Sequence, residues 1–138
     1  MEKNILITMF GHEKLLALSI DAEFEDAQII AYKFFFRNMN ELLMNAEDEI
    51  LKYYLEVIEE YRERLGEKFA DKMAPVISNK EELSKLIEPK RLLFPMVFDE
   101  RVRQVGLLLE STWEPEHGLA VKFEDEKIVE VGYQDIVL

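Results

Sequence analysis

The 138-residue chain contains no cysteine, which excludes disulfide frameworks, thiolate nucleophiles and cysteine-based zinc sites. Its glycines number five and stand apart at Gly11, Gly66, Gly106, Gly118 and Gly132, so no glycine cluster is available to wrap a phosphate. None of Ser19, Ser78, Ser84 and Ser111 lies in the Gly-x-Ser-x-Gly setting of a hydrolase elbow. Long apolar runs are missing too. The longest, Leu92 to Phe98, is interrupted by Pro95 and is far shorter than a membrane-spanning helix. The first residues, Met1-Glu2-Lys3-Asn4-Ile5-Leu6, lack the basic start and apolar stretch of a secretion signal, and the expectation is a cytoplasmic protein.

What is present describes a folded globule. The hydrophobic fraction is 49% and the charged fraction 33%, richer in large apolar residues than a disordered chain would be. The length suits a single domain over residues 1–138 with one core. Charge is the most informative bulk property. The formal net charge is −12, and it is uneven: residues 38–65 hold 8 acids against 3 bases, and residues 111–138 hold 7 against 2. A field of that sign repels nucleic-acid backbones and anionic membranes and favours a basic protein partner. Acidity also keeps proteins soluble, so charge alone identifies no ligand.

Periodicity predicts an α+β fold in two layers. Ile5 to Phe10 reads as a strand, Gly11 to Lys14 as a connection, and the alternation of Leu16, Leu18 and Ile20 as a second strand. Beyond the polar stretch Asp21 to Asp26, alternate residues Ile30, Tyr32, Phe34 and Phe36 suggest a third. From Asn38 the period lengthens: Ile50, Tyr54, Val57, Ile58, Tyr61 and Leu65 fall in one helical arc, with Lys52, Glu56, Glu59 and Glu63 opposite. Asn38 with Glu41 has the spacing of a capping box, and Gly66 supplies a left-handed stop. Residues 67–78 read as a connection or a short helical extension. Ser78 with Glu81 suggests a second capping box, opening a short helix that Pro89 would end. Four strand-like segments close the chain, at Arg91 to Phe98, Val102 to Trp113, Leu119 to Phe123 and Ile128 to Val131. Pro95 places the first of these at an edge or a bulge. The expected architecture is therefore antiparallel strands from both ends packed on one long amphipathic helix and one short one.

The segment from Trp113 to Asp135 concentrates chemistry. It holds the sole tryptophan, one of two histidines and the carboxylates Glu114, Glu116 and Asp135. The structural reading makes Trp113 a core residue, Gly118 a turn residue and His117 a hydrogen-bonding partner within the turn. The functional reading gathers Glu114, Glu116, His117 and Asp135 into a polar cluster able to move a proton or hold a cation. One histidine beside acids lacks a recognised metal-ligand spacing, so the structural reading carries more weight and no metal or cofactor is expected. Phe35 and Tyr53 fall off the main apolar faces and are interface candidates if exposed.

The string Trp113-x-x-Glu116-His117-Gly118, followed by alternating apolar residues and Val131-Gly132-x-x-Asp135, resembles the C-terminal signature of a family of small bacterial proteins of unknown function. It is similar to families that include immunity proteins of bacterial toxin systems. The resemblance covers about 25 residues, a hairpin's length, and implies a lineage without a catalytic residue. The family's hairpin carries Asn-Gly at its turn, where this chain has Asp125-Glu126-Lys127.

These observations rank three functions. The first is a non-catalytic, immunity-like binding module that meets a basic partner through Glu56, Glu59 and Glu63, with Trp113, Glu116, His117 and Asp135 as further candidates. The second is a small hydrolase or metal-dependent enzyme centred on His117, Glu116 and Asp135. The third is a structural subunit whose open sheet edge makes a homodimer.

Overall fold

The computed structural model describes residues 2–20, 26–95 and 101–138. Six strands form one sheet in sequence order: β1 (Glu2–Met9), β2 (His12–Ile20), β3 (Ile87–Phe94), β4 (Gln104–Ser111), β5 (Leu119–Glu124) and β6 (Lys127–Gly132). All neighbours are antiparallel except β2 and β3, which run parallel. A parallel pair cannot be closed by a hairpin. The crossover between them carries the helices α1 (Asp26–Arg37), α2 (Met39–Leu65), α3 (Glu67–Met73) and α4 (Lys80–Ser84). The α+β fold expected from the sequence is thus present, with one long helix and a mainly antiparallel sheet.

The core lies between sheet and helices. Ile7, Met9, Leu16 and Leu18 from the first hairpin meet Leu43, Ile50 and Tyr54 of α2 and Leu107, Leu109, Val121 and Phe123 of the central strands. A smaller cluster on the opposite face joins Leu93, Leu108 and Ala120 to Val137, which a 3₁₀ turn at Gln134–Val137 folds back onto the sheet. Val137 sits where a side chain at Gly106 would otherwise be, with its Cβ only 2.8 Å from the position of an added one.

Several local expectations need correction. The third N-terminal strand is helix α1. Its buried residues are Gln28, Ala31 and Phe35, a three-then-four spacing, whereas Ile30 is exposed. A short segment with apolar residues at both spacings satisfies either period, and packing against the sheet selected the helical one. Phe35 is accordingly a core residue, 1% exposed, and offers no interface. Asn38 does not cap α2; its side chain donates back to the Phe34 carbonyl at 3.1 Å. The second capping box lies one residue later than expected. Asn79 accepts from the Glu82 backbone N–H at 2.9 Å, and the Glu82 carboxylate accepts from Asn79 and Ser78. Helix α4 ends at Ser84, so Pro89 does not end it but lies within β3, beside a register shift between Pro89 and Arg91 that accommodates its missing donor. Strand β3 is interior, not an edge, and Pro95 follows its last residue. The polar stretch 21–25 and the expected strand end at 96–98 lie outside the described residues.

Other expectations hold. Gly66 follows α2 at φ 75° and its N–H bonds the Arg62 carbonyl. Residues 67–73 continue as α3. One more needs correction: His12 to Lys14 belong to β2, and the connection in the first hairpin is Phe10-Gly11 alone, at φ 53° and φ 75°. A non-glycine in that region is uncommon. Here the Phe10 N–H is held by the Glu47 carboxylate of α2 at 3.0 Å.

The β5–β6 turn answers the absence of Asn-Gly. Asp125 and Glu126 both adopt left-handed backbone, at φ 50° and 62°, the geometry of the two-residue hairpin turn that Asn-Gly favours. Arg103 holds it in place. Its guanidinium grips the Glu126 carboxylate through two bonds of 2.8 Å, while its backbone N–H meets Asp125 Oδ1 at 2.9 Å. The same guanidinium lies 4.4 Å from the Phe34 ring centre, tying the turn to α1.

Candidate functional site

The chain leaves β4 at Ser111 and reaches β5 at Leu119 through a turn built around Glu114. The Glu114 backbone carbonyl accepts from the Gly118 N–H at 3.0 Å and from Ser111 Oγ at 3.3 Å. Its carboxylate is mostly covered, with 13% side-chain exposure. Oε1 faces His117 Nδ1 at 2.9 Å and Oε2 accepts from the Tyr61 hydroxyl of α2 at 2.9 Å. The Tyr133 hydroxyl lies 3.0 Å from that of Tyr61. Because the Tyr61 proton is directed at the carboxylate, Tyr133 is the donor to Tyr61. The Tyr133 ring in turn stacks on His117, with centroids 4.8 Å apart and planes 16° from parallel. Glu114, His117, Tyr61 and Tyr133 therefore form a closed latch joining α2, the β4–β5 turn and the end of β6.

The electrostatics follow from this packing. Burial would raise the Glu114 carboxyl, but the hydrogen bonds from His117 and Tyr61 outweigh it and hold it below its ordinary value. His117 is raised, first by its bond to Glu114 and further by the charges of Glu114, Glu116 and Asp135. Burial, with the bonds to Tyr133 and Glu114, pushes the Tyr61 phenol far up, so it stays a donor. The signs give a pH profile. The His117 contribution is complete below its unfolded value of 6.5 and is lost as pH rises through the raised folded value. That of Glu114 is complete above 4.5 and is lost as pH falls through the lowered folded value. The latch should therefore stabilise most between those two values. Melting temperatures of wild type and His117→Asn across this range check it. The wild type should lose stability relative to the variant as pH rises above the histidine range, and parallel curves would contradict the assignment.

The sequence candidates are placed unevenly. Trp113 is 3% exposed and packs its ring edge-on against Tyr54 at 4.7 Å, so it is a core residue without a surface to offer. Glu116 and His117 lie beside Glu114, with potential ligand atoms of all three within 4.8 Å of one another. Asp135 is exposed on the 3₁₀ turn and acts on His117 only through its charge. Glu114 and His117 bind each other and Tyr61 occupies the second Glu114 oxygen, so a cation would have to break bonds already made. The melting temperature should be indifferent to zinc, manganese or chelator. Saturable stabilisation that disappears in His117→Ala would overturn this.

Glu56, Glu59 and Glu63 lie exposed on α2. Beside them is a feature not anticipated from the sequence. Helix α2 packs over β6, leaving a groove of about 210 Å³ between Glu49, Lys52, Tyr53 and Glu56 on one side and Ile128, Val129, Glu130 and Val131 on the other. Tyr53 connects it to the latch. Its phenol is raised by burial and by the neighbouring Tyr133 and Glu114. A second shallow depression lies between β3 and β4, at Lys85 to Glu88 and Glu110 to Thr112.

A family model described as "Domain of unknown function (DUF6985)" matches residues 1–138. The chain belongs to this family. No curated protein and no solved structure matches it. The DUF6985 match spans helix, groove and latch alike, so all three belong to the family's domain. Membership in DUF6985 brings no chemistry of its own, and function must be argued from the geometry.

The sequence signal for Tyr61 and Tyr133 was present but incomplete. Tyr61 sits in the apolar arc of α2, and a buried tyrosine needs a partner for its hydroxyl. Which partner depends on the pairing of β6 beside α2, which periodicity does not contain.

Proposed function

We propose that this protein is a non-catalytic binding module whose acidic α2 face receives a basic protein partner. The observation that carries this is the state of the exposed acids. Glu49, Glu56, Glu59, Glu63 and Glu130 form no ion pair among the described residues. Other acids are engaged: Asp125 and Glu126 with Arg103, Glu124 with Lys122, Asp48 with Lys80, and Glu60 with Arg64. The charge excess of the C-terminal segment is thus partly consumed within the fold. Among the described residues Glu13, Glu67, Glu81, Glu110, Glu116 and Asp135 also lack an ion pair, but α2 carries more such acids than any other element.

Helix stability does not account for them. Glu59 and Glu63 are like charges four residues apart, unfavourable by about 0.2–0.5 kcal/mol. A face retained against that repulsion fits recognition of positive charge. The C-terminal resemblance to immunity-type proteins supports a partner of the toxin class with a basic surface, met in the cytoplasm. The enzyme reading has less support, since Asp135 stands apart from His117 and Glu114 is fully engaged. The test is the salt dependence of association with a captured partner, for the wild type and for a triple charge reversal.

A further inference from the structure

We infer that the groove between α2 and β6 binds an extended, lysine- or arginine-bearing segment of a partner, which adds to the sheet as a seventh strand beside β6. The inference rests on the proposed reading and specifies how the basic partner is held. Strand β6 ends the sheet, so the backbone groups along its outer side have no strand to pair with. The residues lining the groove from this strand are consecutive, Ile128 to Val131. Side chains of a strand alternate between faces, but the register shift at Val129 breaks that alternation, so all four residues reach the groove beside this terminal strand.

The chemistry of the walls selects the occupant. Ile128 and Val131 are partly buried against the core, and Val129 is 51% exposed. Val129 falls where the β5–β6 register shifts: Lys122 pairs with Glu130 and Phe123 with Ile128, leaving it unpaired. Together with the Tyr53 ring these residues give an apolar floor. Glu49 and Glu56 of α2 border it with Lys52 as the single base, while the Glu130 carboxylate lies on the other face, near Gly132 and Ile136. An extended segment would satisfy the open edge through its main chain, place an apolar side chain on the floor and direct basic ones at Glu49 and Glu56. Helix-flanked sheet edges bind peptides in this way, with main-chain bonds giving affinity and alternate side chains giving specificity. The space is too small for a cofactor-sized ligand, which needs about 300–1,000 Å³.

The test uses the full chain and two short capped peptides alternating lysine and valine. One is unmodified. The other is N-methylated on alternate residues along the edge that would face β6, which preserves charge and removes strand pairing. Binding is followed at low salt, with hydrogen exchange of the 128–131 amides. The expected result is slowed exchange with the unmodified peptide, affinity at least about tenfold weaker for the methylated one, and weakening of both in Glu49→Lys/Glu56→Lys. Equal binding of the two peptides, without slowed exchange in β6, would overturn strand addition and leave the acidic-face reading standing. Failure of both peptides to bind would overturn the two together.

Discussion

Replacing Trp113 by alanine should lower the unfolding free energy by about 3–5 kcal/mol, the range for losing a large buried aromatic side chain. The indole is 3% exposed and meets the Tyr54 ring edge-on at 4.7 Å. Tyr54 cannot easily move into the hole. It is itself 0% exposed and its hydroxyl donates to the Pro75 carbonyl at 2.6 Å, with burial pushing the phenol up to about 12 against the opposing charge of Arg62. A tethered neighbour leaves a cavity instead of collapsing, which puts the site toward the costly end of such substitutions. The loss would also loosen the turn that presents Glu114 to Tyr61. Chemical denaturation measures the effect, with Val76→Ala, at a position 76% exposed, as the near-neutral comparison. A Trp113→Ala protein that unfolds like wild type would remove Trp113 from the structural role assigned to it.

Much of the fold was legible because its signals are local. The apolar arc from Ile50 to Leu65 needs no partner to read as a helix, and Gly66 marks its end. The three C-terminal strands from Gln104 to Gly132 are strand-like runs separated by polar turn residues. Where the reading failed, the deciding interaction was distant in sequence. Residues 30–36 carry apolar side chains at both helical and strand spacings, and only the sheet beneath shows which period is used. Locally, Pro89 reads as a helix stop and Pro95 as the mark of an edge or a bulge. That β3 lies beside β2, separated from it by more than sixty residues of crossover, is not contained in any local pattern. The candidate site divides in the same way. His117 and Glu116 were identifiable from residue type and proximity. Tyr61 and Tyr133, 72 residues apart, meet only because α2 packs along β6, and the groove exists for the same reason.

The central claim is that the acids of α2 recognise charge. Glu56, Glu59 and Glu63 are exposed, form no ion pair among the described residues and lie on a helix that lysine suits about as well as glutamate. Reversing all three to lysine should therefore leave the fold intact. Each reversal changes the charge by two, so the triple variant halves the magnitude of the net −12. Steered association between oppositely charged surfaces is faster by about 10- to 1,000-fold and falls as salt shortens the screening length toward about 8 Å. The most direct measurement is the association rate of a captured basic partner with wild type and the triple reversal, at low and at high salt. The account predicts fast wild-type association at low salt, a steep fall at high salt, and slow, nearly salt-independent association of the reversal. Equal rates in all four conditions would contradict it, leaving the face of Glu56, Glu59 and Glu63 as a solvated surface without a recognition role.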